Sequence, residues 1–223
     1  MRVEWHGQSA FTLEGREATV FIDPFGPMEG LEDRGIEWKY PPIVADGIDL
    51  LLVTHEHRDH NAVEAVDGEP ATIRALAGSH ETPVGTVIGV SAEHDDVAGT
   101  ERGHNTIFVF ALDGLRIAHF GDFGQAALRP EQAEAIGAVD LVFVPVGGGP
   151  TIGGSAAAEI ALSVGAKWVV PMHYRTARIS FLDDEEEFAA AFARVQRFES
   201  AEFDTDELED PGSGAVAVIP ASP

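Results

Sequence analysis

Cysteine is absent from this 223-residue chain, and lysine nearly so, with Lys39 and Lys167 its only representatives. Without cysteine there is no disulfide framework, no thiolate nucleophile and no Cys-rich zinc module. Positive charge is scarce altogether: 14 Lys+Arg face 38 Asp+Glu, a formal net charge of −24. Nucleic acids are bound largely by neutralising phosphates with Lys and Arg and releasing their counterions. DNA is therefore excluded as a partner, long RNA is disfavoured, and a polybasic membrane contact is excluded with them. No run of about 18 apolar residues is present to span a bilayer, and the opening Met1-Arg2-Val3-Glu4-Trp5-His6 lacks the apolar stretch of a signal peptide. The expectation is a cytoplasmic protein with no membrane contact. The acid surplus suits a surface adapted to high salt, although an Arg-rich, high-GC genome explains the lysine deficit equally well.

The length suits one domain spanning 1–223 with a core of ordinary size. Short apolar runs at 3–5, 9–13 and 18–22, broken by turn residues, predict an antiparallel meander. Residues 23–47 carry Pro24, Pro27, Pro41 and Pro42 with glycines at 26, 30 and 35, so they form a long loop with a functional role such as a lid. The apolar run 49–54 reads as a strand buried on both faces. Further strands are expected at 86–90, 106–112, 115–120, 141–146, 168–171 and 215–219, with a tight hairpin at Asp113-Gly114. Helices are expected at 130–136, 155–164 and 183–198, the last with Phe188, Phe192 and Val195 on one stripe. Strands first, then strands alternating with helices, give an α/β (α+β) chain of two sheets flanked by helices.

The densest chemistry lies directly after the buried strand, in Thr54-His55-Glu56-His57-Arg58-Asp59-His60. On extended backbone, residues i and i+2 point the same way, so His55 and His57 present two imidazoles to one metal. If the chain then turns, Asp59 and His60 face a second. A solvated charged loop is the alternative, and the order of residues excludes the helical His-Glu-x-x-His zinc site. Other strand ends offer more ligands: Glu93-His94, the run from His119 to Asp122, and Pro171-Met172-His173-Tyr174.

Taken in order, these motifs resemble those of the metallo-β-lactamase superfamily. Segments 95–99, 102–106, 119–124 and 145–151 are similar to its ascorbate-6-phosphate lactonase-like branch. The resemblance implies a four-layer αββα sandwich with the site at one edge of the two sheets. It implies that His55, His57 and His94 hold one metal, that Asp59, His60 and His173 hold another, and that Asp122 bridges them. With no cysteine, thiolate variants of such a site are excluded. In Trp5-His6-Gly7-Gln8-Ser9, Gln8 stands where relatives tend to place a histidine.

Two adjacent cations lower the pKa of a shared water enough to form a hydroxide nucleophile at neutral pH, and polarise the oxygen it attacks. The expected reaction is hydrolysis of a phosphodiester, lactone or other ester in a small anionic substrate. Asp59 would orient the nucleophile or take its proton, as well as bind metal. Zinc is the first expectation for two divalent ions in a His-rich set, and manganese also suits His and carboxylate donors. Asp23, His119, Tyr174 and Thr151 are expected behind the ligands or against the substrate. For three of these a plainer reading stands beside this: a strand-ending turn for Asp23, a core histidine for His119, a helix-capping turn around Thr151. His104 reads as structural, His80 as a surface loop residue, and Arg58 and Arg175 as members of surface ion pairs. The competing functions are a non-catalytic metal-binding protein of the same fold and a nuclease-type, RNA-processing phosphodiesterase. A homo-oligomer is compatible with the sequence.

Overall fold

The computed structural model describes residues 1–31, 33 and 35–223, so positions 32 and 34 of the long loop lie outside the described residues. The expected meander is formed by β1 (Arg2–Gly7), β2 (Ala10–Glu14) and β3 (Thr19–Ile22). Parallel pairing then carries β3 to β4 (Leu50–Val53) and β4 to β5 (Ala71–Arg74). The short strand β13 (Glu202–Asp204) pairs with β1 and completes a six-stranded sheet ordered β13-β1-β2-β3-β4-β5.

A second sheet of eight strands contains β6 (Gly78–Thr82), β7 (Gly85–Glu93), β8 (His104–Leu112), β9 (Leu115–His119), β10 (Leu141–Pro145), β11 (Trp168–Met172), β12 (Val195–Arg197) and β14 (Val216–Ile219). Its order is β12-β14-β11-β10-β9-β8-β7-β6. The β8–β9 hairpin turns at Asp113-Gly114, both at positive φ, as an Asp-Gly turn allows. Among the described residues there are three short α-helices, α1 (Pro130–Ile136), α2 (Gly154–Ser163) and α3 (Glu186–Ala190). Among the described residues no helix is long and apolar enough to cross a membrane.

Side-chain alternation assigns the two faces of the first sheet. Val20 and Ile22 of β3, with Leu50 and Leu52 of β4, join the large core between the sheets. Phe21 and Leu51 point to the other face, where Phe25, Tyr40 and Ile43 of the long loop cover them. The apolar run in β4 is continuous because both of its faces are covered. On this side Phe25, Tyr40 and Ile43 of the long loop form the cover, while α1 and α2 pack on the second sheet through β7 and β10.

One expected helix is replaced. Only Glu186–Ala190 is helical within 183–198. Phe188 and Phe192 do pack together, with ring centroids 4.8 Å apart, but Val195 leaves the stripe and starts β12, parallel to β14. The backbone groups along the edge of β14 offer these residues a ladder, which overrides their helical pattern. Strands β5 and β6 escaped notice because they are mostly exposed, with Ile73 the one buried side chain in either.

His6 on β1 is mostly buried, stacks on Phe21 and lies 2.7 Å from Thr12 Oγ1. Burial pushes its pKa down to about 4 from an ordinary 6.5. The unfolded chain thus takes up this proton first, and His6 removes stability as pH falls from 6.5 to about 4, on the order of 3 kcal/mol over the full window. His6→Gln is expected to flatten the pH dependence of urea-unfolding free energy across that window. An unchanged slope would show that His6 is not its source.

Candidate metal centre

The carboxyl ends of the central strands meet along one edge of the two sheets, and each contributes polar side chains there. The loop after β4 carries His55 to His60, His94 follows β7, Asp122 follows β9 and His173 follows β11. Two groups assemble: His55, His57 and His94 in one, and Asp59, His60, Asp122 and His173 in the other, with the candidate ligand atoms of each group within 4.8 Å of one another. Asp122 lies between them. Its Oδ2 is 3.2 Å from His94 Nε2, 3.2 Å from His60 Nε2 and 3.3 Å from His173 Nε2.

Several of these side chains are braced from behind, whereas His173 Nδ1 is buried without a hydrogen-bond partner. Asp23, at the end of β3, accepts hydrogen bonds from Thr54 N and Thr54 Oγ1, both at 2.7 Å, and its Oδ2 lies 2.9 Å from His60 Nδ1. It is therefore both the strand-ending turn residue and the partner of a candidate ligand. His94 Nδ1 lies 3.1 Å from the Pro150 carbonyl. Ser9 Oγ donates to Asp122 Oδ1 at 3.2 Å, and Asp122 N donates to Asn105 Oδ1 at 3.1 Å. Partners of this kind fix the tautomer and orientation of metal ligands. Gly124 is required by closeness: a Cβ there would lie 2.4 Å from the backbone of His94. Among the described residues, Gln8, Asp23 and His173 are three of six non-glycine residues at positive φ, a concentration of backbone strain that accompanies functional sites.

Burial shapes the charges. It lowers the pKa of His55 well below the ordinary range, and lowers those of His57 and His173, which favours the neutral imidazoles that metals require. Burial would lower His60 too, but Asp122, Asp59 and Asp23 outweigh it and hold it well above the ordinary value. Asp122 is held well below the carboxylate range, because His173 and His60 overcome the opposing effect of burial. His60 Nε2 is a buried nitrogen without a hydrogen-bond partner, although it is near both Asp59 and Asp122. Contact without hydrogen-bond alignment, in a set of only nitrogen and carboxylate donors, fits a divalent cation.

The remaining sequence expectations divide. His119 is a core histidine: Nε2 lies 3.0 Å from Ser9 O, and Gly121 N donates to Nδ1. Tyr174 lies away from the cavity. Strand β11 ends at Met172, His173 turns at φ 51°, and the next side chain stacks on Trp5 with centroids 5.1 Å apart. Thr151 also misses the metal cavity and lines a neighbouring hollow beside α2, its hydroxyl directed at the Gly148 and Ile152 carbonyls. His104 is exposed rather than structural, and His80 sits on β6 rather than in a loop. Arg175 pairs with Asp184. Arg58 instead donates to the Pro27 and Glu29 carbonyls, tying the long loop to the ligand loop. Ser9 and Asn105 were not foreseen as ligand braces; their only signal is proximity to Gln8 and His104 in motifs already noted. The cavity over the cluster, about 570 Å³, is lined by His57, Asp59, His94, Asp122 and His173, and also by Gln8, Trp38 and Arg102.

Two stacked sheets with a His/Asp cluster along one shared edge define a class, and a family model described as the β-lactamase superfamily domain matches residues 2–173. A UPF0173 metal-dependent hydrolase of Thermococcus kodakarensis is 31% identical over 206 residues, covering 79% of this chain and 85% of the relative. A Geobacillus sp. (strain WCH70) protein of the same name is 30% identical over 203 residues, covering 79% and 86%. Among solved structures, a candidate zinc-dependent hydrolase of the metallo-β-lactamase superfamily from Thermotoga maritima superposes with TM-score 0.77 at 30% identity, covering 99% of this chain and 98% of the other. The chain belongs to the metallo-β-lactamase superfamily and, within it, to the UPF0173 family of metal-dependent hydrolases.

Replacing Asp23 with Asn leaves an acceptor for Thr54 but weakens the hold on His60. Metal affinity, read by competition with a chromophoric chelator, is expected to fall about 10- to 100-fold with little change in far-UV circular dichroism. Unaltered affinity would remove Asp23 from the centre.

Proposed function

We propose that this chain is a binuclear hydrolase cleaving a lactone, phosphodiester or other ester in a small anionic substrate. The observation that carries the reading is the position of Asp122, whose Oδ2 lies within 3.3 Å of imidazole nitrogens from both ligand groups. His55, His57 and His94 would hold one divalent ion, and Asp59, His60 and His173 the other, with Asp122 shared. Zinc suits this donor set first and manganese second. When bound, such a pair lowers the pKa of water and polarises the oxygen under attack.

The chain's own groups divide the remaining work. Asp59 is a quarter exposed where Asp122 is nearly sealed, so Asp59 is the ligand carboxylate placed to orient an attacking water and accept its proton. Asp23 and Pro150 hold His60 and His94 in orientation. Arg102 on the cavity wall supplies positive charge for a substrate anion. Resemblance to the ascorbate-6-phosphate lactonase-like branch favours a lactone within this range, and the net charge of −24 disfavours long RNA.

Elemental analysis of metal-replete protein is expected to find two ions per chain, about one after His57→Ala, and fewer than two after Asp122→Ala. Hydrolysis of a panel of lactones and phosphodiesters should fall to background in both variants. A metal-replete chain that holds no ion, or His57→Ala protein with full activity, would overturn the binuclear assignment.

A further inference from the structure

We infer that the substrate carries an apolar arm, alkyl or aryl, which lies on a wall built by Met28, Leu31, Ile36 and Trp38 of the long loop together with Ile179 and Phe181, while its hydrolysable group faces the ligand cluster. This rests on the hydrolase reading above and narrows its substrate class. A cavity of about 570 Å³ exceeds what two ions and a few waters need and falls in the range of small-molecule sites. Beyond the ligand residues, Gln8 and Arg102, its side-chain lining is apolar, with Met28, Leu31, Ile36, Trp38, Ile179 and Phe181. Arg102 is the only lysine or arginine among the described lining residues.

Ile179 is buried in the smaller core cluster, but the other apolar side chains of the wall are not part of the fold's interior. Met28, Leu31, Ile36 and Trp38 are half-buried, and Phe181 is 52% exposed. Among the described residues, neither packed cluster includes Met28, Leu31 or Ile36. Their apolar surface therefore stays available for burial by a ligand, and it adjoins reactive groups in one continuous cavity.

The wall is nevertheless fastened. Trp38 meets Phe25 and Tyr40 edge-on at 5.0 and 5.2 Å, Lys39 N donates to Arg178 O at 3.0 Å, and Ile36 N donates to Leu31 O at 3.0 Å. Arg58 of the ligand loop holds the Pro27 and Glu29 carbonyls. Trp38 also lines a second, aromatic hollow of about 310 Å³ with Phe25, Tyr40 and Ile43, which extends the apolar surface beyond the metal cavity. A fastened apolar surface beside the ligands presents a preformed seat for an arm several carbons long.

The test is a homologous series. Metal-loaded protein is assayed on γ-lactones whose alkyl arm grows from none to hexyl, with alkyl phosphodiesters in parallel. Burial of each methylene should raise kcat/KM about three- to fourfold until the wall is filled. Isothermal titration of the same preparation with butyrate, hexanoate and octanoate reads the wall without turnover, and Kd should fall along the series. Trp38→Ala and Phe181→Ser should flatten both trends; Phe181 is exposed, so its replacement leaves the fold intact. Val44→Ser, on the same loop but 82% exposed and outside the cavity lining, should retain them. Turnover with no dependence on arm length, and a flat Kd, would overturn the apolar arm and leave the hydrolase standing. Tighter binding of longer carboxylates without turnover of any ester would support the arm and count against the hydrolase.

Discussion

One buried carboxylate holds the working edge of this protein together. Asp23 is fully sequestered and sits at positive φ where β3 ends. It receives the backbone and hydroxyl of Thr54 and meets His60, so the end of one parallel strand fixes the direction in which the next strand's loop departs. A buried carboxyl group is tolerated only if its polar atoms are satisfied, and three partners do so. The loop from His55 to His60 is thus aimed by a residue over thirty positions upstream, and the ligand geometry depends on the register of β3 against β4.

Around Asp23 the two sheets are joined by polar contacts, in contrast to the apolar packing deeper between them. Thr106 N donates to Thr54 O, His173 N to Gln8 O, and Ser9 reaches Asp122 from the opposite sheet. Trp5 Nε1 donates to the same Gln8 carbonyl. Each contact crosses from the six-stranded to the eight-stranded sheet or anchors the turn that does so. Buried polar networks are costly when partly satisfied and rigid when complete, and this one places the ligand carboxylate and imidazoles on fixed backbone. The strained φ values at Gln8, Asp23 and His173 are the local cost of bringing both sheets' strand ends so close.

The ligand cluster was legible because its signal is local. Four candidate donors fall within six residues after a run of apolar ones, and strand alternation alone assigns two of them to one side. His94, Asp122 and His173 needed the ordered resemblance, since nothing in their own neighbourhoods singles them out from other strand ends. The polar seam was not legible, because Ser9, Thr54 and Asn105 come from separate strands and share no period. Tyr174 adjoins the cavity-facing His173 in sequence, yet its ring stacks on Trp5 away from the cavity, as the alternation of neighbouring side chains favours. Residues 183–198 show the opposite failure, a good helical stripe overruled by the open edge of β14. The long loop was recognisable from its prolines and glycines, but the apolar wall it builds over the cavity depends on tertiary contacts of Trp38 with Phe25 and Tyr40.

The last strands have a consequence for the order in which the molecule takes shape. β12 and β14 belong to the eight-stranded sheet, while β13, between them in the chain, pairs with β1 across some two hundred residues. Every candidate ligand precedes them on the chain, yet neither sheet is complete until residues 195–219 arrive. During synthesis, β1 and β11 would wait with open hydrogen-bonding edges, surfaces that recruit wrong partners if left exposed. Residues 195–219 therefore work as a clasp on both sheets, and their loss would be felt first in assembly rather than in the chemistry of the cluster.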